Sequence, residues 1–495
     1  MSLARRMFIP QSAHRQLGCF LRRRRLLSSS TSAPSTGNTS VTATNAVLGS
    51  LVAGVAYHCF YKDIRSSDAY HRLVSDILLP LLRNDSIADA ESAHNAAVFA
   101  SQIGLAPIDP DVHTEERLQY LKSRVLGLDF RSPVCLAAGF DKQAEAMPGL
   151  LGSGFGAVEV GTVVPKPQFG NAKPRMFRLH EDGAVINRFG FNSDGLEKVE
   201  SRLVQYWAHL INNNVYPGSA IDENGKARGL VGVNVGKNKD QLDAASDYSA
   251  CVVRLSPFAD YITVNISSPN TPGLRALQGK DQLRDLLKSV RDARDSLPWG
   301  VGLVKITPGD MACLMSAKAL MARKIPPPIL VKIAPDLSPQ DEADIAAVVM
   351  EHYSGKGSSG VKNISSRLVD GIIVSNTTVA RPNELKASSL ISKETGGLSG
   401  RPLMEPSTNL LRRMYSLTSG SVPLIGVGGI SSPEDAYSKI RSGASLIQVY
   451  TALAYKGPGL VRELNDGIVE LLKRDGLNNI ADAVGKDVKL HNVKS

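Results

Sequence analysis

Cysteine is scarce in this chain and scattered along it. Five cysteines occur in 495 residues, at Cys19, Cys59, Cys135, Cys251 and Cys313. They form no C-x-x-C pair and have no histidines at metal-ligand spacing. The sequence therefore indicates neither a disulfide framework nor a zinc site.

Acidic residues are absent from the first 62 positions, which hold eight Lys and Arg residues. The formal net charge is +10, so the chain beyond residue 62 carries only +2. We therefore expect no nucleic-acid binding by the folded body. A G-x-G-x-x-G motif is also missing after every predicted strand, which argues against a separate nicotinamide-binding domain.

Residues 1–40 are rich in Arg, Ser and Thr, a composition that predicts a mitochondrial transit peptide; a basic tail without structure is the alternative. The uncharged segment that follows predicts a transmembrane anchor at 41–61, since about 20 residues span a bilayer core. Gly49, Ser50, Gly54 and His58 make it weakly apolar, so a buried helix remains an alternative. The preceding arginines would leave the N-terminus in the matrix and the body in the intermembrane space.

Two amphipathic helices are predicted within 66–107. The first has an apolar stripe at helical spacing, formed by Tyr70, Leu73, Val74, Ile77, Leu78 and Leu81. The second spans 86–103, with Ser86 as its cap, Asp89 in its first turn and Gly104 at its end. These helices either pack on the body, or lie in the bilayer surface and form the mouth of a pocket for a lipid-soluble molecule.

Eight short apolar runs alternate with helical stretches beyond residue 131. They predict strands at 134–138, 157–163, 230–235, 261–266, 329–333, 371–374, 424–427 and 446–450. This order is typical of the α/β class and predicts a (β/α)8 barrel at 124–475, followed by a tail at 476–495. Segments near 213–229, 296–327 and 354–368 look like loop insertions, to which we assign no function.

Polar residues follow almost every predicted strand, and in such barrels the carboxyl ends of the strands carry the chemistry. Asn and Gly also serve turns and caps, which is the alternative reading of most of these positions. Lys332 lies inside an apolar strand, where a buried ammonium requires an anionic partner. Glycines at 396–400, 426–429 and 443 predict a phosphate site near the last two strands.

Five motifs occur in order: AAGFDK at 137–142, NRFGFN at 187–192, NVGKNK at 234–239, NISSPNTPG at 265–273 and VKIAPD at 331–336. With SNTT at 375–378, GGLSG at 396–400 and YTAL at 450–453, they resemble the class 2, quinone-linked dihydroorotate dehydrogenases of mitochondria. The resemblance runs from about 68 to about 472. It implies oxidation of dihydroorotate to orotate by FMN, with ubiquinone as final acceptor, in de novo pyrimidine (UMP) biosynthesis.

The resemblance also assigns site residues. FMN would be held by Ala138, Gly139, Thr162, Asn234, Asn265, Lys332, Ser375, Gly400, Gly429, Tyr450 and Thr451. Substrate would be bound by Lys142, Asn187, Arg188, Phe189, Gly190, Phe191, Asn192, Asn265, Asn270, Asn376 and Thr377. A quinone tunnel would end near His94, Arg178 and Tyr450, although His94 could equally be an ordinary surface histidine.

Ser268 is the catalytic base that the resemblance implies. Serine is a weak base, so we expect a hydrogen-bonded water or hydroxyl to relay the proton, with Thr271 and Thr377 as candidates to orient this relay. Class 1 relatives place a cysteine in this role, and no cysteine lies in the loop after the fourth strand. The alternatives are an FMN barrel that uses a soluble acceptor, and a membrane-tethered barrel that binds a ligand without turnover.

Overall fold

The computed structural model describes residues 64–222, 224–300, 322, 325–353 and 366–489. The predicted transit peptide and membrane anchor lie outside these ranges, as do 301–321 and 354–365 within the predicted insertions. Inside the described ranges, no helix is both long enough and apolar enough to cross a membrane.

The described residues form thirteen strands. They are β1 (Ser123–Val125), β2 (Leu128–Phe130), β3 (Val134–Leu136), β4 (Ala157–Val163), β5 (Met176–Leu179), β6 (Ala184–Asn187), β7 (Leu230–Val235), β8 (Tyr261–Asn265), β9 (Ile329–Ile333), β10 (Gly371–Val374), β11 (Gly397–Gly400), β12 (Leu424–Val427) and β13 (Ala444–Val449). Eight of them close a parallel barrel in the order β3-β4-β7-β8-β9-β10-β12-β13. The eight predicted strands are confirmed, with small differences at their ends.

Helices cover the outside of this barrel. The longer ones are Leu196–Asn212, Ala244–Leu255, Lys280–Asp295, Pro339–Met350, Met404–Leu417, Pro433–Arg441 and Gly459–Arg474, and shorter ones are Glu115–Leu121, Met147–Gly152, Ser389–Ser392 and Thr451–Lys456. Two of them begin at capping boxes, Ser338 with Asp341 and Ser432 with Asp435, each followed by a proline at the first helical position. The main apolar core lies between strands and helices, so the predicted (β/α)8 fold is confirmed.

The barrel interior is layered. Successive side chains of a strand point to opposite faces, so every second residue points inward. The lowest inward layer is apolar and takes one residue from each strand: Cys135, Ala157, Leu230, Tyr261, Leu330, Ile373, Ile425 and Leu446. Four residues of the β1–β2 hairpin region, Val125, Leu126, Leu128 and Phe130, pack against this layer. The hairpin therefore closes the barrel at the end where its strands begin.

A small antiparallel sheet, β5-β6-β11, was not predicted. Met176, Val185, Asn187 and Ser399 from this sheet line the cavity at the other end of the barrel. The glycine-rich segment predicted near a phosphate site at 396–400 contributes a strand, Gly397–Gly400, which pairs with Ala184–Asn187, and Gly400 lines the cavity. The sheet joins segments about 210 residues apart, a distance that local patterns do not record.

Both predicted N-terminal helices are present, with corrections. The first runs over 68–83 and contains a π-helical stretch at Leu73–Leu78. The second is Ala90–Gln102, and its cap is Asp89, not Ser86. The Asp89 carboxylate accepts hydrogen bonds from the amides of Glu91 and Ser92, both at 3.0 Å. An ionised carboxylate at this position also interacts favourably with the helix dipole, which a hydroxyl does not.

Two arginines near β5 hold these helices on the small sheet. Arg175 makes a two-point ion pair with Glu91 at 2.8 and 3.1 Å. Arg178 donates to the carbonyls of Leu82 at 2.9 Å and Ala88 at 3.0 Å, so it caps the end of the first helix. Apolar side chains of the helices remain exposed on their other side, namely Ile77, Leu78, Leu81 and Phe99.

Asp89→Ala should loosen the second helix, because two amides of its first turn lose their acceptor. We expect a loss of about 1 kcal/mol of local stability, which is about fivefold faster amide hydrogen exchange across Ala90–Gln102. Ser86→Ala is the matched control and should leave exchange unchanged, since no hydrogen bond of the helix involves its side chain. Equal effects of the two substitutions would contradict the assignment of the cap.

Candidate functional site

A cavity of about 300 Å³ opens at the carboxyl ends of the barrel strands. Its lining contains most of the residues predicted for cofactor and substrate: Ala138, Gly139, Lys142, Thr162, Asn187, Phe189, Gly190, Phe191, Asn192, Asn265, Ser268, Asn270, Lys332, Ser375, Asn376, Thr377, Gly400, Gly429, Tyr450 and Thr451. These positions span more than 300 residues of sequence. The barrel brings them together because each lies on, or just beyond, a strand end or in the small sheet.

Two of the residues predicted for cofactor and substrate do not line the cavity. Asn234 lies beneath the lining, fully buried, and its amide bonds to Glu159 and Thr162. Arg188 points away, where its guanidinium pairs with Glu394 and lies over the ring of Phe177. Because protein groups satisfy the Arg188 guanidinium, its position within the motif did not show that the side chain points away from the cavity.

The predicted quinone residues occupy different surroundings. Tyr450 lines the cavity, and its hydroxyl donates to the carbonyl of Gly139 at 3.2 Å. His94 lies next to it, with ring centroids 6.1 Å apart. Arg178 does not line the cavity, because its donors bond to Asp85 and to carbonyls at the end of the first helix. The structure therefore gives Arg178 a clear structural task.

Lys332 projects into the barrel from β9, beside Asn265 on the adjacent strand. It is 5% exposed and lines the cavity floor. Burial lowers its pKa, while the charge of Glu159 opposes that shift. Glu159 is therefore part of the anionic partner that was predicted for Lys332. The Lys332 ammonium also faces the cavity, where it can stabilise a second anion.

Bare backbone forms another part of the cavity wall. Gly428 and Gly429 have positive φ values of 109° and 78°, and a Cβ on Gly429 would lie 2.4 Å from backbone atoms of Met404. A Cβ on Gly400 would likewise lie 2.3 Å from the carbonyl oxygen of Gly183. Only glycine fits at these positions, and backbone N–H groups without covering side chains suit an oxyanion such as phosphate.

Lys142 brings a second cation to the cavity. Its Nζ lies 4.3 Å from the ring centroid of Phe189 and 3.4 Å from Nε2 of His94. Burial lowers the pKa of Lys142 to about 8, with the charge of Glu91 opposing the shift. Burial holds the pKa of His94 well below its usual range, and the charge of Lys142 adds to this effect. His94 is therefore a neutral acceptor for the Lys142 ammonium near pH 7.

Amide groups surround Lys142 on the substrate side. The Asn270 amide donates to the backbone oxygen of Asn187 at 3.1 Å and to its side-chain oxygen at 3.3 Å. Asn192 also lines the cavity. Its side-chain oxygen is buried and accepts no hydrogen bond in the described part of the chain. A cation beside several amides can bind a carboxylate next to a cyclic imide.

Ser268 follows β8 and is 7% exposed. Its Oγ accepts a hydrogen bond from the backbone N–H of Asn270 at 3.3 Å. Of the two threonines predicted to assist it, Thr377 donates weakly to Asn376 at 3.5 Å. The Thr271 hydroxyl is buried and has no partner among the described residues, so it is available for a proton relay.

Sequence reasoning missed two polar residues of the barrel interior. Gln448 lines the cavity from β13, and its side-chain oxygen is buried and without a partner in the described ranges. Glu159 is fully buried in β4. Both interrupt apolar strands as Lys332 does, so the argument applied to Lys332 would have selected them as well.

The chain matches the family model "Dihydroorotate dehydrogenase" over residues 120–472. A relative from Oryza sativa subsp. japonica, named "Dihydroorotate dehydrogenase (quinone), mitochondrial", is 45% identical over 456 residues, which cover 90% of this chain and 87% of the relative. A mouse protein of the same name is 45% identical, with 83% and 90% covered. A crystal structure of DHODH from Eimeria tenella with ferulenol superimposes with a TM-score of 0.69 at 39% identity, covering 83% of this chain and 98% of that one.

The family match spans most of the barrel, and the relatives named as quinone enzymes share well over a third of their residues with this chain across nearly their full length. The predicted resemblance is therefore confirmed, and this chain belongs to the dihydroorotate dehydrogenase family, within its quinone-linked class.

Proposed function

We propose that the chain oxidises dihydroorotate to orotate in pyrimidine synthesis, with FMN as hydride acceptor and ubiquinone as final acceptor. The observation that carries this proposal is the convergence of Lys142, Ser268 and Lys332 on one cavity. Lys142 is the cation for the substrate, Ser268 is the base, and Lys332 is the cation for the cofactor, and all three line one cavity. The names of the relatives, which specify dihydroorotate and a quinone, support the substrate and the final acceptor.

The cavity fits FMN on its own chemistry. Gly400, Gly428 and Gly429 form a backbone surface for the phosphate, while Lys332 supports an electron-rich ring edge. The unpartnered oxygen of Gln448 offers an acceptor to a ring N–H group. FMN bound there would accept a hydride, that is, two electrons and one proton.

The substrate end of the cavity positions dihydroorotate for loss of two hydrogens. The Lys142 ammonium binds the carboxylate, and amides of Asn187, Asn270 and Asn376 contact the imide edge. Ser268 takes the proton from C5 as the hydride leaves C6, and it gives its own hydroxyl proton to a water molecule that carries it to solvent. Thr271 is the better candidate to orient this water, because its hydroxyl is not engaged by the described residues.

The N-terminal helices support access for a lipid-soluble acceptor. Ile77 is 55% and Phe99 is 56% exposed, as expected for helices that lie in a bilayer surface. His94 on the second helix lies next to Tyr450, which lines the cavity. Arg178 contributes to this region by holding the first helix in place.

Mitochondrial location follows from the acid-free leader at 1–40 and from the relatives named as mitochondrial. A single pass through the inner membrane at 41–61, with the barrel in the intermembrane space, rests on the sequence alone. Membrane extraction by alkaline carbonate tests this span, because a spanning protein stays with the pellet.

Flavin spectroscopy tests the proposed reaction directly. The purified protein should show an oxidised flavin spectrum, lose its absorbance on anaerobic addition of dihydroorotate, and recover it on addition of a short-chain ubiquinone. Recovery with fumarate or NAD but not with the quinone would favour a soluble acceptor. A colourless protein would favour a ligand-binding barrel without turnover.

Ser268→Ala should retain flavin and lose substrate-dependent reduction of that flavin. We expect a decrease of about a hundredfold or more, since a positioned base contributes rate enhancements of that order. Stopped-flow absorbance measures the rate. Ser268→Cys is the matched variant and should keep part of the activity, because a thiolate can accept the proton. Near-normal reduction by the alanine variant would place the base elsewhere.

Substrate capture should weaken as the pH rises through about 8. The pKa of Lys142 is lowered from 10.5 to about 8, so the free enzyme keeps the ammonium below this pH and loses it above. We therefore expect kcat/KM for dihydroorotate to fall in the alkaline limb. Lys142→Met should be weak at every pH and lack this limb, whereas the exposed Lys239→Met should match the wild type. An alkaline limb that persists in Lys142→Met would exclude Lys142 as its origin.

A further inference from the structure

A buried carboxylate, Glu159, lies in the barrel directly beneath the cavity. It is fully buried on β4, two residues above the apolar layer that contains Ala157. Its oxygens accept hydrogen bonds from the amides of Asn234 at 2.8 Å and Gln448 at 2.7 Å, and from the hydroxyl of Tyr261 at 3.3 Å. Burial and the charge of Glu159 raise the pKa of Tyr261, so its hydroxyl stays protonated and donates.

A carboxylate only accepts hydrogen bonds, whereas a side-chain amide has one donating and one accepting end. Asn234 must therefore turn its NH2 group toward Glu159. Its oxygen then faces the other way, where it accepts from the hydroxyl of Thr162 at 2.6 Å and from the amide of Asn265 at 3.2 Å. Because the Asn234 oxygen can only accept, the NH2 group of Asn265 must point toward Asn234.

The same reasoning extends across the barrel. The NH2 group of Asn265 points to Asn234, so its oxygen faces Ser267 and accepts from that hydroxyl at 3.2 Å and from the amide of Asn376 at 3.3 Å. The NH2 group of Asn376 is thus used, and its oxygen accepts from the backbone amide of Thr377 at 2.8 Å. This amide chain links Glu159 to three asparagines on three different strands or strand ends.

A second branch reaches the cavity through Gln448. Its NH2 group donates to Glu159, which leaves its oxygen as the end that carries no partner in the described ranges. Gln448, Asn265 and Asn376 all line the cavity. The pattern of donors and acceptors that a ligand meets on these walls is therefore set from below.

We infer that Glu159 is a positioning residue that sets the donor and acceptor polarity of the amides around the cavity, and so selects ligands whose hydrogen-bonding edge matches this pattern. The inference rests on the proposed function for its ligand, a cyclic imide with alternating N–H and C=O groups. Among the described residues, Glu159 accepts hydrogen bonds from Asn234, Gln448 and Tyr261, so its hydrogen bonds act on the cavity through the orientation of these amides, while its charge also favours the Lys332 ammonium.

An isosteric substitution separates polarity from packing. In Glu159→Gln the new amide can donate as well as accept, so Asn234 and Gln448 are no longer held in one orientation. Each wrong orientation leaves a buried polar group facing a like group, which should lower the affinity for orotate by about tenfold or more. Tyr261→Phe is the matched control, since it removes one hydrogen bond to Glu159 but keeps the carboxylate that both amides face, and should retain wild-type affinity.

A double variant, Glu159→Gln with Asn234→Asp, should restore the pattern. The carboxylate at 234 accepts from the amide at 159 on one side, and from Thr162 and Asn265 on the other, as the Asn234 oxygen does now. The net charge is unchanged. We therefore expect orotate affinity to recover relative to the single variant, a result that loss of packing at 159 would not give.

The measurements are orotate affinity from the flavin difference spectrum, FMN affinity of the apoprotein from fluorescence, and the thermal midpoint as a check of folding. Weak orotate binding by the single variant with recovery in the double variant supports the inference. Wild-type affinity in Glu159→Gln, no recovery in the double variant, or unfolding of both would overturn it. Failure of the wild type itself to bind orotate would instead contradict the proposed function.

Discussion

The alternation of side chains along eight closed parallel strands is the constraint on which the rest of this structure depends. Each strand directs every second residue into a space that water does not fill, so the interior must be either packed or fully hydrogen-bonded. The chain meets this demand in layers: the apolar residues around Tyr261 and the hairpin below, then Glu159 and Lys332, then the open cavity. A charged floor is possible because two amides and a hydroxyl donate to Glu159, and the charge of Glu159 favours the ammonium of Lys332.

The barrel was predictable because its signal is local. Each buried parallel strand appears as a short apolar run, and the eight predicted runs match the eight barrel strands. The site residues followed from the resemblance, and twenty of them meet in one cavity. Lys332 was the position where physical reasoning alone pointed to function, since an ammonium inside an apolar strand has few structural explanations.

The parts that sequence did not predict depend on distant partners. The third strand of the β5-β6-β11 sheet lies about 210 residues from the other two, and the glycine-rich Gly397–Gly400 carries no apolar pattern that predicts a strand. The direction of Arg188 and Arg178 depends on Glu394 and on a helix end, neither of which a motif records. The cap is Asp89 and not Ser86, because the helix begins at Ala90. Where a helix begins depends on the packing of its whole first turn.

The two ends of the cavity are built from different materials. The side proposed for phosphate is backbone at Gly400 and Gly429, whereas the side proposed for substrate consists of side chains such as Lys142 and Asn270. Point substitutions can therefore reshape what is recognised at the substrate end, one group at a time. At the glycine end, a substitution adds atoms that collide with Met404 or Gly183, so the surface changes only if a helix or strand moves. Over evolutionary time such a cavity can diversify its substrates much more readily than its cofactor.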